Sequence, residues 1–372
     1  MSDIRKDFQQ ILQDFPCSDF QTDEENYENA TTKTEWLIKN IPNKLYRFRP
    51  CSDYAITALE NDEIWGTVAS KQNDIMEYLP YFDWAKIYED IESVLNNIDN
   101  FQALLNAAKS DTPPIIIQKQ LKQSDIDNLK EQISQNINDE NVPDLMKQIY
   151  TNLVNHIKQN ENEYLTLTLN QIFATASRLF ISCFSEENDS SYLWGNYADN
   201  NTGFCIEYNM VNYLTKCPEN CESPKKCSKF HSTLQLAPVI YSPIKPDASS
   251  VLSNVIIENI SKKCGREPNQ YLYRDNNIAN NLALFKSDKW VEKEWRLLAW
   301  NQAIEYKEYE CIHKNIRPTS VFLGPKISYE NQKKLIEICK RKNIPCFKAF
   351  PDYFSPEYKY VFFPIDDLYK NL

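Results

Sequence analysis

The sequence predicts an α+β protein with a mixed or antiparallel central sheet and a helical insertion after the first two strands. Strand-like segments with alternating apolar and polar residues occur toward both ends of the chain. Between them, over about residues 81–178, Leu and Ile recur at helical spacing among many Asn and Gln residues. The 372 residues are enough for one elaborated domain. We therefore expect an α+β core formed by 1–80 and 179–372, with 81–178 as the helical insertion.

The first elements of this core are predicted in the order helix, strand, helix, strand. Residues 1–40 are polar with helical spacing, and "LYRFRP" then indicates a short strand that ends at Pro50. The stretch "DYAITALENDEIWGTV" indicates a helix followed by a second strand near 64–68. A polar loop, "KQNDIMEY", comes next, and its Asn73 and Asp74 favour turn conformations.

Strand patterns return after the insertion. They are found in "LFISCFSEE", "TGFCIEYN", "LAPVIYS" and "WVEKEWRLLAW". The segment "SVFLGPKISYENQKKLIEICKRKNIPCFKAF" is typical of strand, helix and strand in succession. Both ends of the chain thus contribute to one sheet.

Composition excludes several classes of function. A net charge of −11 argues against broad electrostatic binding to duplex nucleic acid or to an anionic membrane. The 5 glycines lack the spacing of a dinucleotide fingerprint, a P-loop or a nucleophile elbow. The 3 histidines are far apart, which argues against a zinc hydrolase or a histidine-based triad. Any chemistry should therefore rest on carboxylates, arginines and aromatic residues.

The sequence also predicts a cytoplasmic protein with no membrane association. The first residues, "MSDIRKDFQQ", are charged where a signal peptide is apolar, and no stretch approaches the roughly 20 apolar residues of a spanning helix. In such a compartment most of the 11 cysteines should be reduced.

The segment "WVEKEWRLLAW" contains a row of charges. If it is a strand, period-2 alternation places Glu292, Glu294 and Arg296 on one face, with Trp295 and Leu297 on the other. The row is either the wall of a functional site or a ladder of ion pairs that holds the sheet. An exposed ion pair of that kind contributes ~1 kcal/mol or less.

Other polar and aromatic side chains are candidates for the same pocket. Arg47 and Arg49 share one face of their strand. Trp194 and Tyr197 lie three residues apart on a predicted helical turn, where packing in the core is the open alternative. Together with the Asn–Asp loop, these residues could hold a flat, anionic, polyhydroxylated ligand.

A separate candidate site lies in the loop "CPENCESPKKCSKFH". Cys217, Cys221, Cys227 and His231 could form a tetrahedral zinc site that stabilises a loop with few apolar residues. With four protein ligands such a zinc ion would be structural. The alternative is a set of reduced thiols, or a disulfide that forms on oxidation.

Four blocks of sequence, in order, resemble DUF2971, a bacterial family of unknown function. The blocks are "LYRFRP", "IWGTVASKQNDIMEY", "CFSEENDSSYLWGNYADNNTGFCIEY" and "FKSDKWVEKEWRLL". Ile75 and Met76 depart from the family pattern, which has Pro and an aromatic residue there. This resemblance carries no established reaction.

The order and type of these residues also look like those of ADP-ribosyltransferases, including the DarT-like toxins. That resemblance implies NAD as a substrate bound without a glycine-rich loop, and no metal in the reaction. Glu294 would stabilise an oxocarbenium-like transition state and Glu292 would orient the acceptor. Arg296, on the same strand face, is the third residue assigned to the catalytic site. The residues implied in NAD binding are Arg47, Arg49, Asn73, Asp74, Trp194 and Tyr197.

Three functions therefore stay open. The first is an ADP-ribosyltransferase-like enzyme, a toxin or defence effector that modifies nucleic acid or protein. The second is a non-catalytic sensor or adaptor that binds a nucleotide or a partner, with 81–178 as the surface for a protein partner or for self-association. The third is a nuclease in which Asp74, Glu77, Glu292 and Glu294 form an acidic two-metal cluster.

Overall fold

The computed structural model describes most of the chain, and its described residues form two compact units. The ranges described are 3–14, 23–72, 77–95, 151–152, 154–211, 236–263, 281–289, 292–300, 306–307 and 310–368. The first unit comprises Met1–Tyr78, Ala176–Ile244 and Asn280–Leu372. The second comprises Leu79–Thr175 and Lys245–Ala279, so it includes 245–279 as well as most of the stretch predicted as an insertion.

The first unit contains the sheet. In chain order, the strands described are β1 (Leu45–Arg49), β2 (Ile64–Val68), β3 (Leu179–Ser185), β4 (Phe204–Tyr208), β5 (Leu236–Pro238), β6 (Ile240–Ser242), β7 (Phe285–Ser287), β8 (Glu294–Trp300), β9 (Tyr306–Lys307), β10 (Glu310–His313), β11 (Ser320–Leu323), β12 (Cys346–Pro351) and β13 (Tyr360–Pro364). Eleven of them form one sheet, in the order β13-β12-β11-β4-β1-β3-β2-β10-β9, with β8 on β3 and β5 on β8. The strands β6 and β7 form a separate parallel pair.

The sheet is mixed but mostly antiparallel, which confirms the predicted fold class. Within it only β11 and β12 run parallel among the pairings described. The strand β3 is at its centre, and the sequence "LFISCFS" explains this position because nearly every residue is buried. Seven antiparallel residue pairs join β3 to β8, including Cys183 opposite Arg296 and Ser185 opposite Glu294. This register places the charged row beside the middle of the sheet.

Three of the helices in the described ranges begin at a capping serine. Over the described residues they are α1 (Ile4–Asp14), α2 (Asp23–Asn40), α3 (Asp53–Glu60), α4 (Trp84–Leu95), α5 (Glu161–Ala176), α6 (Ser191–Tyr197), α7 (Ser249–Lys263), α8 (Tyr329–Lys342) and α9 (Ile365–Leu368). Ser52, Ser190 and Ser328 cap α3, α6 and α8, and each side-chain hydroxyl accepts a hydrogen bond from a first-turn N–H. Asn343 adopts the left-handed conformation just after α8.

One glycine fixes the end of β1. A Cβ atom at Gly203 would lie 2.2 Å from the Arg49 carbonyl oxygen, so no larger residue fits there without moving the strand. Arg49 is the last residue of β1, so Gly203 lets the chain after α6 pass close to the end of this strand.

The second unit is helical in the part that the structure describes. It contains α4, α7, nearly all of α5 and a helical segment at 154–159. The buried side chains of one apolar cluster join these helices: Ile87, Ile91, Ile157, Tyr164, Leu252 and Ile256. The Ser253 hydroxyl of α7 donates a 2.9 Å hydrogen bond to Asp90 of α4. That the predicted insertion carries partner binding stays a prediction.

None of the helices in the described ranges is both long enough and apolar enough to cross a bilayer.

Candidate functional site

The sheet unit contains a cavity of about 390 Å³, within the size range of ligand pockets. Strands β1, β2, β3, β7 and β8 supply most of its wall. Its lining residues are Tyr46, Arg47, Phe48, Arg49, Tyr54, Trp65, Thr67, Lys71, Gln72, Glu77, Ile181, Cys183, Phe184, Ser185, Leu193, Tyr197, Lys286, Glu292, Glu294 and Arg296. The polar and aromatic groups lie at two ends of the cavity. We call one the carboxylate end, which contains Glu77, Glu292, Glu294, Lys286 and Arg296, and the other the arginine end, which contains Arg47, Arg49, Tyr54 and Trp65.

The carboxylate end is organised around a buried lysine. The Nζ atom of Lys286 lies 2.9 Å from Glu292 Oε2, 3.3 Å from Glu294 Oε2 and 3.4 Å from Glu77 Oε1. Each of these four side chains is about 5% exposed or less. One ammonium group thus bridges three carboxylates, which would otherwise repel one another.

Arg296 closes the network from the other side. Its Nε donates to Glu294 Oε1 at 2.8 Å and its Nη2 donates to Glu77 Oε2 at 2.9 Å. Its Nη1 donates to the Ala283 carbonyl oxygen at 2.6 Å. All three guanidinium nitrogens are used, which explains how a side chain that is 1% exposed can stay charged.

The electrostatics keep Glu294 ionised. Burial by itself would raise the pKa of Glu294, but the charges of Arg296 and Lys286 outweigh burial and lower that pKa to about 2. Burial would lower the pKa of Lys286, but Glu294, Glu77 and Glu292 together raise it. At neutral pH the carboxylate end therefore holds a fixed anion at Glu294.

Tyr197 and Cys183 complete this end. The Tyr197 hydroxyl donates a 2.8 Å hydrogen bond to Glu292 Oε1. Burial raises the pKa of the Cys183 thiol, and the nearby Glu294 carboxylate raises it further. Cys183 is therefore a neutral thiol beside the carboxylates rather than a nucleophilic thiolate.

A backbone kink brings Glu292 into the network. The strand β8 begins at Glu294, and Lys293 just before it has a φ of 46°. Ser185 Oγ donates to the Glu292 carbonyl oxygen at 2.8 Å, and the Glu186 N–H donates to the Lys293 carbonyl oxygen at 3.1 Å. The predicted alternation holds from Glu294 to Arg296, whereas Glu292 reaches the same wall through this kink and not through a continuous strand.

The arginine end is formed by β1 and by aromatic side chains. Arg47 donates to the Trp65 carbonyl oxygen, and its guanidinium lies 5.9 Å from the centre of the Phe184 ring. The rings of Tyr54 and Trp65 are 4.0 Å apart in an edge-to-face arrangement. Within the described ranges, the half-buried Arg49 guanidinium makes no hydrogen bond or ion pair with a protein group. Burial, together with the neighbouring Arg47 charge, lowers the pKa of Arg49 to about 10.

The cavity has an excess of positive charge although the chain is acidic. Its described lining includes five cations, Arg47, Arg49, Lys71, Lys286 and Arg296, and three carboxylates, Glu77, Glu292 and Glu294. The difference is two positive charges, in a protein whose net charge is −11. A cavity with this balance favours an anionic ligand.

Of the residues predicted to be catalytic or to bind NAD, most meet at this cavity. Six of them line it: Arg47, Arg49, Tyr197, Glu292, Glu294 and Arg296. Trp194 does not line it, because the side chain is fully buried in the core, 5.2 Å from the Phe48 ring, and donates to the Asn188 carbonyl oxygen. Asn73 and Asp74 lie outside the described residues, as do Cys217, Cys221, Cys227 and His231. In the part of the chain that the structure describes, no group of three or more His, Cys, Asp or Glu side chains is arranged to hold a metal ion.

Several lining residues were not expected. Lys286 lies in the block "FKSDKW" but was not singled out, because one lysine between Phe285 and Ser287 on a three-residue strand gives no local signal of a buried, paired charge. Glu77 was expected near the pocket, in the polar loop after β2, and as a nuclease ligand, but its pairing with Arg296 and Lys286 was not predicted. Tyr54 and Trp65 were missed because their aromatic pairing depends on contact between α3 and β2.

The fold and the cavity together define an α+β protein with a polar, ion-paired, ligand-sized pocket in its sheet unit. Residues 193–297 match the model of DUF2971, a family described as a protein of unknown function. The match confirms the resemblance over this segment, which contains Tyr197, Lys286, Glu292, Glu294 and Arg296. No curated protein and no solved structure matches the chain.

Proposed function

We propose that the cavity binds NAD and that the protein is an ADP-ribosyltransferase-like enzyme. The observation that supports this proposal most strongly is convergence. Arg47, Arg49, Tyr197, Glu292 and Glu294 come from distant parts of the chain and line one cavity. The resemblance to ADP-ribosyltransferases implies these same residues as one set, and a ladder that only holds the sheet does not require the two arginines.

The reaction would be cleavage of the bond between nicotinamide and ribose. The electron pair of the C1′–N bond leaves with nicotinamide, so positive charge builds up on the ribose as it does in glycoside hydrolysis. The Glu294 carboxylate, with a pKa of about 2, is available as an anion at neutral pH. In a buried site a fixed anion directed at this charge stabilises it far more than it would in water.

The acceptor would then replace nicotinamide. An acceptor hydroxyl or amine, or water, forms the new bond to C1′ and loses one proton. Glu292 is the carboxylate proposed to orient the acceptor and receive that proton, and its position is fixed by hydrogen bonds from Tyr197 and Lys286. The acceptor in this proposal is a nucleic acid or a protein, as in a toxin or defence effector.

A second candidate is a non-catalytic sensor or adaptor that binds a nucleotide or a protein partner. One observation favours it: the carboxylates and the two cations at the carboxylate end already satisfy one another. Such a network can shape a pocket without taking part in a reaction. The nuclease is less well supported, because Lys286 and Arg296 occupy the carboxylate oxygens that metal ions would need.

Other parts of the proposal concern the surroundings of the site. We propose a cytoplasmic location, which the described free thiols of Cys51, Cys183, Cys205, Cys339 and Cys346 support. A structural zinc ion in the loop 217–231 and partner binding or self-association through 81–178 also stay proposals. Elemental analysis of the purified protein is the direct check of the zinc.

The test of the enzymatic proposal is nicotinamide release from NAD. We expect Glu294→Gln to lower the rate by roughly 100-fold or more, because the fixed anion is lost while the side-chain volume is kept. The matched control is Glu337→Gln on the exposed face of α8, which should leave the rate unchanged. A folded wild-type protein that binds a nucleotide but releases no nicotinamide would favour the sensor or adaptor.

A further inference from the structure

We infer that the arginine end of the cavity is a phosphate subsite for a nucleotide. Arg49 is its main contact, and the Tyr54–Trp65 pair offers a surface to the planar base. This inference rests on the proposed use of the cavity as a nucleotide site, but it requires no reaction with NAD. It specifies which end of the cavity holds the phosphates, and through which side chain.

The first step of the argument is that Arg49 lacks a partner. A guanidinium that is partly removed from water loses hydration, and proteins normally compensate this with carboxylates or carbonyl groups. In the residues that the structure describes, the Arg49 side chain has neither, while the three lining carboxylates are held by Lys286 and Arg296. A ligand anion is therefore the natural partner for Arg49.

The second step is the position of Arg47. Arg47 and Arg49 lie two residues apart on one face of β1, so their backbones are about 7 Å apart. The Arg47 side chain is fixed by the Trp65 carbonyl oxygen and by the Phe184 ring. It therefore stays near Arg49 in spite of repulsion between the two charges. An arrangement that costs stability in the free protein is typical of a binding site.

The third step is the chemistry of the ligand. Guanidinium groups match the oxygens of phosphate with paired hydrogen bonds. The cavity's excess of two positive charges matches a pyrophosphate group or a phosphate monoester. Beside Arg49, the half-exposed Tyr54 ring and the Trp65 ring present an aromatic surface on which a base can pack. Phosphate and base together define a nucleotide rather than a free inorganic anion.

Calorimetric titration with three probes tests the inference. The probes are ADP, inorganic pyrophosphate and adenosine. For the wild-type protein we expect ADP to bind most tightly, pyrophosphate more weakly, and adenosine at least ~10-fold more weakly than ADP, because only ADP uses both parts of the subsite. ADP that binds no more tightly than pyrophosphate would overturn the assignment to a nucleotide. Adenosine that binds as tightly as ADP would overturn the phosphate subsite.

Variants of Arg49 provide a second test of the inference. Arg49→Gln should weaken ADP binding by ~10- to 100-fold. Arg49→Lys keeps the positive charge but cannot donate the paired hydrogen bonds of a guanidinium, so its affinity for ADP should lie between those of Arg49→Gln and the wild type. Arg178→Gln, an exposed arginine outside the cavity, is the matched control and should leave ADP binding unchanged. Unchanged ADP binding in both Arg49 variants would overturn the inference.

Stability separates a binding role from a structural one. Because Arg49 is unpaired in the free protein, Arg49→Gln should melt at the same temperature as the wild type or above it, while the ADP-induced increase in melting temperature becomes smaller. A marked fall in the melting temperature without ligand would mean that Arg49 supports the fold, and would overturn the inference. ADP binding that depends on Arg49 without nicotinamide release would support the inference and reject the transferase. If instead the wild-type protein releases nicotinamide from NAD and Arg49→Gln binds ADP normally, the transferase would be supported and the inference about Arg49 overturned.

Discussion

The Glu294 side chain carries a negative charge in a nearly inaccessible position. Its side chain is 5% exposed, and such burial normally favours the neutral acid. Arg296 and Lys286 reverse that preference and lower the pKa of Glu294 from 4.5 to about 2. The same contacts that would prepare the carboxylate for catalysis therefore also contribute to folding.

This linkage gives a pH-dependent stability. Because the pKa of Glu294 is lower in the folded protein, its contribution is fully present above about pH 5.5 and is lost as the pH falls toward 2. Over that range we expect the difference in free energy of unfolding between the wild type and Glu294→Gln to shrink by roughly 3 kcal/mol. Denaturant unfolding at a series of pH values measures it. Glu337→Gln should show no such trend, and a pH-independent difference for Glu294→Gln would contradict the ion pairing described here.

Local sequence predicts only part of the site at this scale. Alternation along a strand predicts a shared face for Arg47 and Arg49 and another for Glu294 and Arg296, and all four side chains line the cavity. It could not identify Lys286 as the centre of the network, because that position depends on the pairing of β7 with β6 and on contacts with Glu77, more than 200 residues away in sequence.

The sequence also does not show which of two neighbouring aromatic residues, Trp194 or Tyr197, faces the cavity. Trp194 and Tyr197 both lie on the short helix α6, but only Tyr197 reaches the cavity. Trp194 is enclosed by core residues such as Phe48 and Phe322 from β1 and β11. Helical spacing indicated that the two side chains are neighbours but could not tell which of them faces the ligand space.

Among the elements, the start of β8 determines the shape of the carboxylate end. Lys293 has a left-handed backbone, which is uncommon for a residue with a side chain, and this turn directs Glu292 toward Lys286. Its own side chain is half-exposed and pairs with Glu187. The kink is invisible in the sequence because lysine is not a typical residue for this conformation.

Substitution at Lys293 can separate the role of the backbone from that of the ion pair. Lys293→Val should destabilise the protein by ~1–2 kcal/mol, because a β-branched side chain resists the left-handed conformation. Lys293→Asn, which also removes the charge but tolerates that conformation, should cost less than ~1 kcal/mol. Denaturant unfolding compares the two variants. Equal losses in the free energy of unfolding would show that the ion pair with Glu187, and not the backbone conformation, accounts for the stability that Lys293 contributes.

Element boundaries show where the prediction of the fold was strong and where it was incomplete. The strand patterns before residue 70 and after residue 320 match β1, β2, β11 and β12, because alternation and nearby turn residues act locally. The grouping of 245–279 with the second unit depends on the packing of Leu252 and Ile256 of α7 against Ile87 of α4. That contact joins segments far apart in the chain, so periodicity alone gives no sign of it.

For the whole molecule, charge distribution matters more than net charge. The chain has a charge of −11, yet the described lining of its cavity has an excess of two positive charges. Net charge therefore argues against broad binding to a polyanion, whereas the local excess allows selective binding of a small one. A sequence total cannot show this difference, because the cations and carboxylates of the cavity come from β1, β7, the residues that follow β2, and β8 with the residues just before it.

The most direct test of the central claim, that this cavity is a nucleotide site, is calorimetric titration of NAD into Glu294→Gln. This variant should retain the arginine end but cleave NAD slowly, so binding can be observed without turnover. We expect one NAD molecule to bind per chain, with binding abolished by excess ADP. No binding of NAD to either the folded variant or the wild-type protein at millimolar concentration would contradict the claim. The charged row would then be explained as a ladder of ion pairs that holds the sheet.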